Sequence, residues 1–199
     1  MSGARGPGTP PGRFTVFLDR DGVFNPNPRI YIRRWGAYRF LPGARDAFAR
    51  LNRSDVQTCL ATNQHFTHPL LNTRRSVLHF HERFRAALAQ AGGRLDHVEA
   101  CTGLPILPDR RRKPRPGMLE DGAAALGGVD KARAVMVGDK PKDAQAAAAF
   151  GIPCILLATT YPASRLEAEA RRKGIPYAAI APDLGAAVEL ILSWLPSEA

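Results

Sequence analysis

Cysteine is sparse in this chain of 199 residues: Cys59, Cys101 and Cys154 are far apart and odd in number. That excludes a disulfide framework and a paired zinc knuckle, so the expected setting is a reducing cytoplasm. No apolar stretch reaches membrane-spanning length, and the amino terminus shows no hydrophobic signal region; no membrane partner is expected. Acids are few against bases. The 18 Asp and Glu face 28 Lys and Arg, a formal net charge of +10. Such a balance attracts nucleic acids, anionic membranes and phosphorylated metabolites. The excess is mostly arginine, which a GC-rich genome explains as readily as a binding surface does. Internal repeats are absent. What is there, 45% hydrophobic and 23% charged residues, is globular and excludes a disordered chain.

The length suits one domain with a sizeable core. Residues 1–13 have little to bury and are expected to be a disordered tail, leaving a single domain over 14–199. That domain begins with an apolar run, Phe14, Val16, Phe17 and Leu18, which reads as a buried strand. The run stops at Asp19-Arg20-Asp21-Gly22. Residues two apart in a strand share a side, so both carboxylates are expected to leave the strand end together, with Gly22 turning the backbone beneath them. Buried parallel strands point their carboxyl ends at the ligand crevice, which makes the acids metal and nucleophile candidates.

Residues 23–41 mix loop signals (Asn25-Pro26-Asn27-Pro28) with arginines and aromatics, among them Tyr31, Trp35 and Tyr38. They are too short for a cap domain. A flap beside the site is expected, the alternative being a surface loop with its aromatics tucked against the core. A helix over 42–52 leads to a strand over 56–61 that ends at Thr62-Asn63-Gln64, whose hydroxyl and amide donors suit phosphate oxygens. His65, His68, His79 and His81 lack metal-ligand spacing and are expected to be exposed or capping.

A helix over 74–91, stopped by Gly92-Gly93, and a strand over 98–101 precede Arg110-Arg111-Arg112-Lys113-Pro114-Arg115-Pro116-Gly117. Its prolines break the cationic run and set Lys113 just before a helix, as a phosphate site requires. A strand over 132–137 ends in Gly138-Asp139-Lys140-Pro141-Lys142-Asp143. An alanine-rich helix (144–150), a strand (152–158), a helix (162–173), a short strand (177–180) and a closing helix (184–195) complete the alternation. The fold class is therefore α/β with a parallel sheet.

If the strands adjoin, four strand ends bring acids, hydroxyl and amide donors, a lysine and further acids to one crevice. That inventory suits phosphoryl transfer through an aspartyl-phosphate. A carboxylate approaching a phosphate dianion needs positive charge, for which Mg²⁺ is the natural ion and Lys113 its complement.

These motifs resemble the haloacid dehalogenase (HAD) superfamily. Asp19-Arg20-Asp21-Gly22, Thr62-Asn63, Lys113, and Gly138-Asp139 with Asp143 match its four signatures. Leu41-Pro42-Gly43-Ala44, Ala61-Thr62-Asn63-Gln64, Arg112-Lys113-Pro114 and Val137-Gly138-Asp139-Lys140 are similar to the histidinol-phosphate and D-glycero-D-manno-heptose-1,7-bisphosphate phosphatases. The resemblance implies a Rossmann-like (HAD-type) sheet flanked by helices on both faces, without a large cap domain. It implies Asp19 as nucleophile and Asp21 as general acid/base. Asp19, the Asp21 carbonyl and Asp139 would hold Mg²⁺, with Asp143 either a direct ligand or one layer out, and Thr62, Asn63 and Lys113 would hold the phosphoryl group. Arg112 and Lys140 match substrate-contacting positions of the bisphosphatases. Those enzymes carry a Cys/His zinc loop before Arg-Lys-Pro; here Cys101 stands alone and no structural zinc is expected. The substrate reading is a small phosphorylated metabolite handled by a monomer. Two alternatives stay open: a polynucleotide 3′-phosphatase, or a non-catalytic basic binding module on the same fold.

Overall fold

The first strand, β1 (Phe14–Leu18), sits at the middle of a parallel sheet and is buried along its whole length. Its side chains alternate between two cores: Phe14, Val16 and Leu18 face one side, Phe17 the other. A strand covered on both faces reads as a continuous apolar run, which is why β1 was legible without an alternating pattern. The computed structural model describes residues 13–27, 35–64, 74–103 and 106–196.

Among these residues six strands adjoin in the order β3-β2-β1-β4-β5-β6, all neighbours parallel. They are β1, β2 (Val56–Asn63), β3 (His97–Cys101), β4 (Ala134–Gly138), β5 (Cys154–Leu157) and β6 (Ala179–Ala181). The helices α1 (Ala44–Leu51), α2 (Arg74–Ala89) and α6 (Leu184–Trp194) supply Phe48, Phe84 and Ile191 to one core. The second core takes Met118, Ala147 and Leu166 from α3 (Gly117–Ala125), α4 (Pro141–Phe150) and α5 (Ala163–Lys173). The expected Rossmann-like α/β sheet with helices on both faces is what the chain adopts. Strand order reverses at β1, with β2 on one side and β4 on the other, and this is where open α/β sheets bind ligands.

Four expectations differ from the structure. Helix α4 begins at Pro141 rather than Ala144, because proline fits the first helical position and the Asp143 carboxylate accepts from the Lys140 amide at 3.0 Å across the first turn. Residues 35–41 are not a flap. Tyr38 is buried and stacks on Trp35 at 5.2 Å between centroids, and its ring meets Phe80 and Phe84 of α2 edge-on at 5.3 and 5.9 Å. Val23 and Phe24 are fully buried as well. His81, expected to be exposed or capping, is buried, and burial lowers its pKa to about 3, with Arg20 and Arg85 adding to the effect. Arg13, counted with the tail, is tied to Asp55 at 2.6 Å and to the Val56 carbonyl at 2.8 Å. Residues 1–12, Tyr31, His65 and His68 lie outside the described residues.

Candidate active site

Beyond Leu18 the chain leaves β1, yet the Asp19 amide still donates to the Val137 carbonyl of β4 at 2.9 Å. This locks Asp19 against the end of β4, where Asp139 and, one helical turn on, Asp143 follow. All three carboxylates are buried, and each offers an oxygen within 4.8 Å of the others. Two glycines allow that approach. A Cβ on Gly22, whose φ is +86°, would lie 2.2 Å from Asp139 Cγ, and one on Gly138 would lie 2.4 Å from Asp143 Cβ.

Lys113 enters from the loop before α3. Its side chain is wholly buried, with Nζ 3.0 Å from Asp19 Oδ2 and 2.6 Å from Asp143 Oδ1. Burial works against the ammonium, but Asp143 and Asp19 more than offset it and hold its pKa above that of an ordinary lysine. Burial likewise opposes the Asp19 charge, and Lys113 and then Lys142 reverse the balance, leaving that carboxyl below the usual carboxylate range. The cation nearest Asp139 is the more distant Lys140, at 3.8 Å, which only partly counters the opposing effects. Burial, then the Asp143 and Asp19 charges, push it up to about 7. Its Oδ1 is buried with no hydrogen-bond partner among the described residues, while Thr160 Oγ1 donates to Oδ2. Three carboxylates around one ammonium, with an orphaned oxygen among them, fit a divalent cation with oxygen preference.

The two acids of the first motif part company. Asp21 lies outside the carboxylate trio and instead collects donors from Arg20 (Nε to Oδ1, 3.1 Å; Nη2 to Oδ2, 3.2 Å), Asn25 Nδ2 (2.9 Å) and Gln64 Nε2 (2.8 Å). On the neighbouring strand, Gln64 Nε2 also donates to Thr62 Oγ1 at 3.1 Å. The Asn63 side chain is spent on the Lys113 backbone, giving to its carbonyl and taking from its amide, both at 3.1 Å. Asn63 therefore clamps the lysine loop in place.

The family profile described as "Hydrolase: haloacid dehalogenase-like hydrolase" matches residues 13–151. The chain belongs to this family. The D-glycero-β-D-manno-heptose-1,7-bisphosphate 7-phosphatase of Bordetella bronchiseptica is 38% identical over 136 residues, 68% of this chain and 75% of that one. The D-glycero-D-manno-heptose-1,7-bisphosphate 7-phosphatase of Thermosynechococcus vestitus is 37% identical over 194 residues, 92% of this chain and 97% of its own. A crystal structure of the D,D-heptose 1,7-bisphosphate phosphatase from B. bronchiseptica, complexed with magnesium and phosphate, superposes with a TM-score of 0.81. It is 34% identical and covers 91% of this chain and 99% of that one.

In this HAD hydrolase, Lys140 lies at the edge of the carboxylate well: Nζ is 3.8 Å from Asp139 Oδ2 and donates to Asn27 Oδ1 at 2.8 Å. Arg112 is directed to the Gly103 carbonyl instead of the trio. Sequence reasoning assigned no role to Arg20, Thr159 or Thr160, and read Gln64 only as a donor to phosphate. The threonines follow β5 at its carboxyl end, and Thr159 Oγ1 donates to the Gly22 carbonyl. Their one available signal was that position, the carboxyl end of a parallel strand next to β4. The cationic run is largely paired: Arg110 meets Glu120 and Asp121, and Arg111 meets Glu99 and Asp121.

Proposed function

We propose that this phosphatase hydrolyses a sugar bisphosphate of the heptose 1,7-bisphosphate type, dependent on Mg²⁺ and passing through a phosphoryl group on Asp19. The observation that carries it is the Asp19, Asp139 and Asp143 trio sealed by the buried Lys113. Asp19, Asp139 and Asp143 would hold the metal, with the Asp21 carbonyl as the resemblance implies. The ion supplies neutralisation of the phosphate dianion, so that a carboxylate can approach it.

An ionised Asp19 oxygen attacks phosphorus as the ester bond to the leaving alcohol breaks. Asp21 gives its proton to the departing oxygen. In the second half, Asp21 takes a proton from water, the water oxygen attacks phosphorus, and the bond to Asp19 breaks to release phosphate. Lys113 and the Thr62 hydroxyl hold the transferring group; Asn63 acts by fixing Lys113. Lys140, 22% exposed beside the well, and Arg112 would meet the second phosphate. The names of relatives covering nearly the whole chain support the substrate class.

The test is phosphate release from heptose 1,7-bisphosphate, histidinol phosphate and an oligonucleotide 3′-phosphate, each with and without Mg²⁺. The bisphosphate should give the highest kcat/KM, and Asp19→Asn should abolish turnover of all three while the fold persists. Preference for either other ester would overturn the substrate class. Parent-like activity in Asp19→Asn would overturn the nucleophile.

A further inference from the structure

Arg20 takes no part in the chemistry above, yet it is among the largest fully buried side chains of the described residues, 2% exposed. A buried guanidinium is costly unless each donor has a purpose. Here Nε and Nη2 reach the two oxygens of Asp21, a forked pairing that fixes the plane of a carboxylate as well as its position. Nη2 also donates to Gln64 Oε1 at 2.7 Å, and the Phe80 ring lies 4.7 Å from the guanidinium carbon. Gln64 completes the ring of contacts by donating to Asp21 Oδ2 and to Thr62 Oγ1. Three separate parts of the chain (the loop after β1, the end of β2, and α2) thus enclose one guanidinium and the carboxylate it holds.

We propose that Arg20 and Gln64 are positioning residues for Asp21, setting its carboxylate where the leaving oxygen departs and tying it through Gln64 to the hydroxyl that faces the phosphoryl group. The proposal rests on the reading of Asp21 as general acid/base. Neither residue touches substrate. Their effect is on proton transfer alone, and it scales with how much the leaving group needs a proton. A sugar alkoxide needs one; p-nitrophenolate does not.

The test is rapid-quench measurement of phosphoenzyme formation from heptose 1,7-bisphosphate and from p-nitrophenyl phosphate. It is made on the parent, Arg20→Met, Gln64→Leu and Asp21→Asn, with folding followed by circular dichroism. A misplaced general acid forfeits on the order of a hundredfold, so Arg20→Met should lose about that from the sugar ester and under roughly fivefold from the aryl ester. Gln64→Leu should be selective in the same direction, and Asp21→Asn sets the reference ratio. Equal losses on both esters, or no loss on either, overturn the positioning role. If Arg20→Met does not fold, Gln64→Leu decides by the same two outcomes. A parent that forms no phosphoenzyme from the bisphosphate, or an unselective Asp21→Asn, refutes the underlying reading and takes this proposal with it. A competent parent with a selective Asp21→Asn beside unselective Arg20 and Gln64 variants sinks the positioning alone.

Discussion

Replacing Lys113 with methionine removes a charge while keeping most of the length and packing of the side chain. The ammonium it deletes is wholly buried, 3.0 Å from Asp19 and 2.6 Å from Asp143, and Asp139 adds a third carboxylate to the same well. Breaking a buried ion pair from one side costs about 3–5 kcal/mol, because the surviving charge keeps its desolvation penalty without its partner. In a chain of this size each kcal/mol moves the melting point by about 2–4 °C, so a fall of roughly 6–20 °C is expected near neutral pH without divalent metal. The pH dependence has a definite sign. The folded pKa of Asp19 lies below its ordinary 3.8, so its ionisation stabilises the fold above that value and the gain is lost as pH falls through the folded value. The variant gives up this gain, and the two melting curves should converge in acid. Mg²⁺ should restore part of the deficit by taking up the same negative charge. Calorimetry across pH, with and without Mg²⁺, measures all three effects. A variant that melts within about 2 °C of the parent at neutral pH without metal would refute the account of Lys113 as the site's neutralising charge.

Two further outcomes follow from the same well. Gly22→Ala drives a Cβ to 2.2 Å from Asp139 Cγ at a φ of +86° that alanine avoids; a loss of about 2 kcal/mol or more and at least roughly tenfold weaker Mg²⁺ binding are expected. Parent-like melting and titration curves would show that the two residues do not press on each other. Asp139, raised from 3.8 to about 7, costs the metal-free fold stability as pH climbs between those values, so this group favours mildly acidic conditions. Mg²⁺ must displace its proton, so affinity should rise with pH and level off above about 7, with proton release detectable by calorimetry in buffers of different ionisation enthalpy. Affinity that is flat across that range would remove Asp139 from the metal site.

What could be read from the chain was whatever depends on near neighbours. Val135 and Met136, or Ile155 and Leu156, sit in runs that are apolar on both faces, and such runs announce buried parallel strands. Asp19, Thr62, Lys113 and Asp139 were legible because each stands at or after a strand end or before a helix. Residues 35–41 were misread because their fate depends on Phe80 and Phe84, some forty residues later in the chain. Arg20 was invisible for a related reason: an arginine between two aspartates looks solvated until Gln64, 44 positions away, and Phe80 are known to enclose it.

The arginine run also has a use that a charge count conceals. Lys113 must hold a fixed position on a loop whose described residues, 102–103 and 106–116, form neither strand nor helix. Asn63 grips the lysine backbone from β2. Asp109 gathers the rest of the loop: it accepts from the Arg111 amide at 2.8 Å and from Cys101 Sγ at 3.2 Å, while its carbonyl receives Arg115 Nη1 at 3.0 Å. Arg110 and Arg111 then tether the loop to Glu120 and Asp121 of α3 and to Glu99 of β3. Cations paired in this way are not an open polyelectrolyte face, and little counterion release is available from them. The part of the +10 charge that lies here serves chiefly to hold the loop that delivers one ammonium to Asp19. Steeply salt-dependent substrate affinity is therefore not expected from this segment, and the small-molecule reading gains over the polynucleotide one on that ground.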